Sequence, residues 1–167
     1  RDLRMSRGLG DVYKRQLHIV GDGPERGAIE QLIASAGPQA ASRIHLLGYK
    51  SGEDLQREVG NARFTVLSSE WRENMPYSGL ESLAAQTPII GARIGGIPEL
   101  VEEGKTGVTF ESGNAVDLSN SMLKCAAVSA LNYSAMQHSC REYVNARCLQ
   151  NEYALALVDL YERVIQR

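Results

Sequence analysis

No apolar run in this sequence approaches the roughly 20 residues that a helix needs to cross a bilayer, and no secretory signal pattern is legible. A charge excess of one sign is lacking too. Eighteen basic and 20 acidic residues leave a formal net charge of −2, so nothing argues for nucleic acid or an anionic membrane surface as partner. Cysteine is sparse: Cys125, Cys140 and Cys148 are odd in number and lack metal-ligand spacing. Reduced thiols in helices of a cytosolic protein are the expectation. No internal repeat or low-complexity linker appears. What remains, at 167 residues of which 43% are hydrophobic, is one domain's worth of chain, enough to bury a full core.

Residues 1–16 (RDLRMSRGLGDVYKRQ) carry no apolar periodicity and do not lead into the strand-like run at Leu17. One codon choice for Ser6–Gln16 reads as the adaptor plus transposon end used to prepare sequencing libraries, translated in frame. The segment is therefore set apart as a non-native tail, and residues 17–167 are read as the natural domain, cut at its N-terminal edge.

From Leu17 onward, short apolar runs alternate with helical periodicity. Strands are predicted at Leu17–Val20, Ile44–Gly48, Phe64–Leu67, Pro88–Gly91 and Gly107–Phe110. Between them, Glu25–Ala36 reads as a helix stopped by Gly37-Pro38. Ser51 opens another, and Asn114 caps a helix rich in Leu118, Met122 and Leu123. Two further helical segments fill the chain to Val164. Strand–helix alternation at this spacing predicts a Rossmann-like α/β fold with a parallel, right-handed sheet. Ligands of such sheets bind at the carboxyl ends of the strands. Three candidate segments follow strands and should share that edge: Gly21-Asp22-Gly23, the stretch 69–83, and Gly95-Gly96.

The stretch 69–83 (SEWRENMPYSGLESL) holds two carboxylates, Glu73 and Glu81, with seven residues between them. Pro76 suits the first helical position, where its absent N–H would be unpaired anyway. Side chains on a helix lean toward its N-terminus, so Glu81 points back toward Glu73. The free amides of the helix start lie between the two acids and favour an anion. Carboxylates seeking hydroxyls on both sides of an anion site match a sugar–phosphate–sugar outline, that of a nucleotide-sugar. Spacing alone is weak, since Glu103 and Glu111 repeat it with no evident purpose among 14 glutamates. Apolar Leu80, Leu83 and Ala84 around Glu81 strengthen the case, because an acid near a buried face needs a partner.

Other motifs read more plainly. Gly21-Asp22-Gly23-Pro24 is no dinucleotide fingerprint, because Arg26 occupies the third glycine position and Pro24 removes an amide. A tight strand-to-helix turn outweighs direct phosphate contact there. Gly95-Gly96 either lets backbone approach a ligand or simply makes a turn. His18 and His45 lie in strands and read as packed rather than catalytic. Trp71 either shields a pocket rim or packs beneath its loop.

Glu73-(seven residues)-Glu81 is followed by Ser82-Leu83-Ala84, Thr87-Pro88-Ile89-Ile90-Gly91-Ala92, Gly95-Gly96-Ile97-Pro98-Glu99-Leu100-Val101 and Gly104-Lys105-Thr106-Gly107. With Val20-Gly21-Asp22-Gly23-Pro24 and Leu47-Gly48-Tyr49 upstream, this set resembles the retaining family 4 glycosyltransferases, from Leu17 to about Gly113 and more loosely to the end. The resemblance implies the C-terminal, donor-binding half of a two-domain GT-B fold. It implies that Glu81 holds the ribose hydroxyls of a nucleotide-diphospho-sugar and that Glu73 meets the donor sugar beside the reacting carbon. Backbone amides of Asn74, Met75 and Tyr77 would face sugar and phosphates, with Pro76 unable to donate. Gly21 and Gly23 would line the donor side, and Tyr49 and Lys50 would meet the base. No metal or other cofactor is implied.

Two residues depart from the family pattern: Gln86 stands where a helix-ending glycine is usual, and Gly79 where a larger apolar residue is usual. The family's diphosphate-clamping Arg and Lys, and its acceptor domain, would lie ahead of Leu17. A helix N-terminus alone gives an anion about 0.3–1 kcal/mol, up to ~2 when partly buried. The stretch by itself is therefore expected to bind donor weakly and to transfer nothing. A full-length enzyme would take a glycan, lipid or small-molecule acceptor in the cytoplasm, with peripheral association at the inner membrane face compatible with that reading. The alternatives are a nucleotide-sugar-binding module without catalysis, or another GT-B enzyme such as an epimerase or phosphorylase.

Overall fold

The computed structural model describes residues 15–148 and 150–165, so residues 1–14 of the adaptor-like tail lie outside the described residues. The chain packs as two compact units that part between Leu55 and Gln56. The five expected strands are all present and parallel. They form two ladders rather than one: β1 (Leu17–Val20) with β2 (Ile44–Gly48), and β3 (Thr65–Leu67), β4 (Ile89–Ala92) and β5 (Gly107–Phe110) in that order.

In the first unit, β1 and β2 run in register as Leu17↔Ile44, His18↔His45 and Ile19↔Leu46. An irregularity then sets Val20 opposite Gly48. Helix α1 (Arg26–Ser35) follows the expected periodicity, and Gly37 (φ 86°) ends it. Pro38 does more than stop a helix, however. It begins the short α2 (Pro38–Ala41), where its fixed φ is pre-set for a first turn. The chain then enters α3 (Gly52–Asn61). No described residue of this unit is fully buried.

The second unit has the core. Strand β4 is buried along its whole length and alternates its side chains between the two faces of the ladder. Ile89 joins Leu83 of α4 (Tyr77–Ala84), Leu100 of α5 (Ile97–Leu100), Val101, and Cys140 and Tyr143 of α7 (Ala130–Arg147). Ile90 and Ala92 face the other way, onto Ile97, Phe110 and Cys125 of α6 (Ala115–Ala127). Fully burying a side chain of this size contributes about 1.5–3 kcal/mol. Gly107 lets β5 press against β4, since a Cβ there would strike the Ile89 carbonyl.

Buried hydroxyls bind the layers. Ser82 Oγ donates to Thr87 O at 2.7 Å and shares a 2.8 Å hydrogen bond with Thr65 Oγ1, tying α4 to β3. Thr106 Oγ1 donates to Leu100 O (3.0 Å) and accepts from Glu102 N (2.7 Å). Tyr143 OH donates to Glu99 O at 2.7 Å. Asn114 caps α6 as expected, its Oδ1 accepting from Val116 N (3.1 Å) and Asp117 N (3.0 Å), a motif worth about 0.5–2 kcal/mol. Glu103 and Glu111 turn out to be structural. Glu103 Oε1 accepts from the amide (2.7 Å) and hydroxyl of Thr109, and Glu111 Oε2 accepts from Asn114 Nδ2 at 2.8 Å. A last helix, α8 (Gln150–Ile165), closes the described chain with its large apolar side chains exposed from Tyr153 to Ile165.

Candidate functional site

Strand β3 delivers the chain at Ser69, and the segment up to Pro76 loops over the carboxyl end of its ladder. The loop's shape comes from its neighbour after β4. Gly96 N donates to Glu73 O at 2.7 Å. A Cβ at Gly96 would collide with the Asn74 carbonyl oxygen, and one at Gly95 would lie 2.8 Å from Glu73 N. Gly95 also has φ 54°, a left-handed conformation that glycine adopts without cost. The glycine pair is thus a seat for the main chain of Glu73 and Asn74. Neither alternative read from the sequence had this form: the close approach is backbone on backbone.

The side chain of Glu73 is exposed, and Ser69 Oγ donates to its Oε1 at 3.2 Å. Ser112 Oγ, just past β5, donates to Ser69 O at 3.2 Å, so the ends of β3 and β5 both support the loop. Sequence reasoning overlooked Ser69 and Ser112 as contributors. A serine four residues ahead of the acid was the one signal available.

Helix α4 starts one residue later than expected. Pro76 is the N-cap, with ψ 114°, and Tyr77 is the first helical residue. The extended ψ turns the Pro76 carbonyl into the helix, where it accepts from Gly79 N (3.0 Å) and Leu80 N (3.4 Å). The Tyr77 and Ser78 amides therefore form the open start of α4. Glu81 follows on the same helix. Its neighbours Ser82 and Leu83 are fully buried, but Glu81 is exposed, and no hydrogen bond or ion pair engages its carboxylate among the described residues. This corrects the expectation of an acid forced to find a partner by burial: the helix turns Glu81 to solvent and its apolar face inward. Trp71 (82% exposed), Tyr77 (80%) and Met75 (54%) stand out from the loop, so Trp71 does not pack beneath it.

The departures at Gln86 and Gly79 have structural counterparts. Gln86 sits at φ 59° and ends α4 in a Schellman motif, with Gln86 N donating to Leu83 O and Thr87 N to Ser82 O, both at 2.9 Å. The left-handed turn is retained without the glycine that favours it. At Gly79 a Cβ would lie 2.5 Å from Leu100 Cδ1 and 3.1 Å from Leu67 Cδ1. These leucines fill the space of the usual larger residue.

In the first unit, Gly21–Gly23 and Tyr49–Lys50 share the carboxyl edge of the β1–β2 ladder, where Gly21 N donates to Gly48 O at 2.8 Å. Gly23 N also bonds Asp22 Oδ1 at 2.9 Å, and a Cβ at Gly21 or Gly23 would meet nothing within 4 Å. Tyr49 is exposed and Lys50 half-buried.

Parallel sheets flanked by helices, with loops and a helix start gathered at strand carboxyl ends, define a Rossmann-like domain of the GT-B glycosyltransferase type. The chain belongs to the glycosyl transferases group 1 family, whose model matches residues 6–127, a match that begins inside the stretch set apart as adaptor-like. It is 31% identical over 109 residues to the N-acetyl-alpha-D-glucosaminyl L-malate synthase of Bacillus anthracis, covering 65% of this chain and 27% of that protein. Among solved structures, a glycosyltransferase from Rickettsia africae superposes with a TM-score of 0.77 at 20% identity, over 92% of this chain and 41% of the other. Anabaena HepE in complex with UDP gives 0.72 at 19% identity, over 87% and 41%. The chain spans about a quarter of the length of its Bacillus relative.

Proposed function

We propose that this chain is the donor-binding part of a retaining, family 4-type hexosyltransferase that moves a glycosyl group from a nucleotide-diphospho-sugar to a glycan, lipid or small-molecule acceptor. Glu81 binds the ribose hydroxyls and Glu73 binds hydroxyls of the donor sugar beside the reacting carbon. The amides of Asn74, Met75 and Tyr77 face sugar and phosphates. Gly21 and Gly23 line the donor, and Tyr49 and Lys50 meet the base. Leaving and attacking oxygens share one face of the sugar, and the reaction requires no metal. The stretch alone transfers no sugar, because charge stabilisation in a closed, dry site needs a second wall. The observation that carries this reading is the Glu73–Asn74 main chain clamped by Gly95–Gly96 directly ahead of the open α4 amides, with both carboxylates exposed.

The test joins this stretch to the upstream half of a related gene and measures transfer from UDP- and GDP-sugars. Glu81→Ala should weaken donor binding by about tenfold to a hundredfold, the worth of charge-assisted hydrogen bonds to two hydroxyls. An unchanged donor KM would remove the ribose role.

A further inference from the structure

Helix α8 has an apolar face that the fold leaves uncovered. Tyr153, Leu157, Leu160, Tyr161 and Val164 recur at the i, i+4, i+7, i+8 and i+11 spacing that lines one side of a helix. These five side chains are between 37% and 69% exposed, and Val158 and Ile165, exposed too, widen the stripe at one edge. Asp159, Glu162 and Arg163 fall on the opposite side, where Arg163 pairs with Asp159. No side chain from Tyr153 to Ile165 is buried. A 16-residue helix with a bare stripe is marginal in water, since most helical stability in proteins comes from packing that stripe.

We propose that this face is a dimerisation surface, on which α8 of a second copy of the chain docks face to face about a two-fold axis. Five side chains of this size and exposure offer roughly 600 Å2 per copy, or about 1,200 Å2 for a pair, which reaches the lower end of specific interfaces. A two-fold axis sets the stripe against itself, so the surface must be self-complementary. It is, because the charged residues lie on the far side and no like charges meet. The two tyrosines bring a large apolar body whose hydroxyl stays wet at the rim. A membrane surface fits the face less well: Arg163 is the only basic residue from Tyr153 to Ile165, and interfacial helices are rich in them. The surface is independent of the sugar-transfer reading and survives its failure.

The 167-residue chain is followed by sedimentation equilibrium from about 1 to about 200 μM, a range that brackets the micromolar Kd expected of an interface this size. The average mass should rise from that of one chain to that of two. Leu160→Glu sets a carboxylate in the apolar stripe and should weaken dimerisation about tenfold or more. Val164→Lys, in the last turn where a cation suits the helix, should do the same without cost to α8 itself. Glu162→Ala, on the charged side, and Leu131→Glu, at an 81% exposed leucine of α7, should leave the dimer intact. Circular dichroism of each variant checks that its helices are kept. A single-chain mass throughout, growth beyond a pair, or a dimer indifferent to both Leu160→Glu and Val164→Lys overturns the proposal. So does a dimer lost in Leu131→Glu, or a chain that floats with phosphatidylcholine vesicles at concentrations where it stays single.

Discussion

Two glycine pairs follow two parallel strands in this molecule, and they do different work. Gly95 and Gly96 are crowded by the main chain of Glu73 and Asn74, whereas a Cβ at Gly21 or Gly23 would meet nothing. The same contrast holds between the units that contain them. The second has two buried clusters around β4, and among the described residues of the first none is fully buried. A glycine after a strand therefore has no fixed meaning. It marks a packing constraint where a second segment lies against it, and only a backbone conformation where none does, as at Gly21 with φ 135°.

The widest separation should appear in hydrogen exchange. Amides of β4 lie in the buried core and should open only with global unfolding, while those of β1 and β2 should exchange at least about a hundredfold faster. Equal protection in the two ladders would remove the distinction between units. Gly96→Ala comes next. It forces the Glu73–Asn74 segment off its seat, and an overpacked, backbone-limited site should cost roughly 2–3 kcal/mol in urea unfolding. Gly23→Ala, in open space, should stay within about 0.5 kcal/mol. Comparable losses at both positions would show that the contact in the second unit is not what distinguishes them.

The thiols report on the same core. Burial pushes Cys125 up to about 11 and Cys140 up to about 12. Both stay protonated in the fold at pH values where an unfolded thiol, with a pKa of about 8.5, ionises. Their stabilising contribution is therefore complete below about pH 8.5. It erodes by about 1.4 kcal/mol per pH unit per thiol as pH rises toward the folded values. Ellman's reagent should label Cys148 at once in the native protein and the two buried thiols only on unfolding. Rapid labelling of all three would mean that the core opens readily. The smallest change of measurable size is expected to be a gain. Gln86→Gly relieves a left-handed residue at the end of α4 and should stabilise by about 0.5–1 kcal/mol, a rise in the urea midpoint with unchanged slope.

Much of this was legible in the chain. Strand and helix positions follow from apolar periodicity and from glycine, proline and asparagine punctuation, because these act over a few residues. β2 and β5 have the expected bounds, β1 matches, and Asn114 caps α6. Pro76 was misjudged by one position and Pro38 taken only as a stop. Proline's fixed φ suits both sides of a helix start, and only the neighbouring ψ decides between them. The acidic pair was visible too, together with the motifs that resemble the family to which the chain belongs.

What the sequence could not contain were the contacts between residues far apart in it. Whether Glu103 and Glu111 act as Glu73 and Glu81 are proposed to, or merely hold Thr109 and Asn114, depended on which donors folding brought to them. The solvent-facing position of Glu81, and the filling of the space at Gly79 by Leu67 and Leu100, likewise arose from packing. Local preference is set by backbone sterics and so is written residue by residue. The seat beneath Glu73 needs two loops, more than 20 residues apart, to close on one another, and only the assembled ladder brings them together.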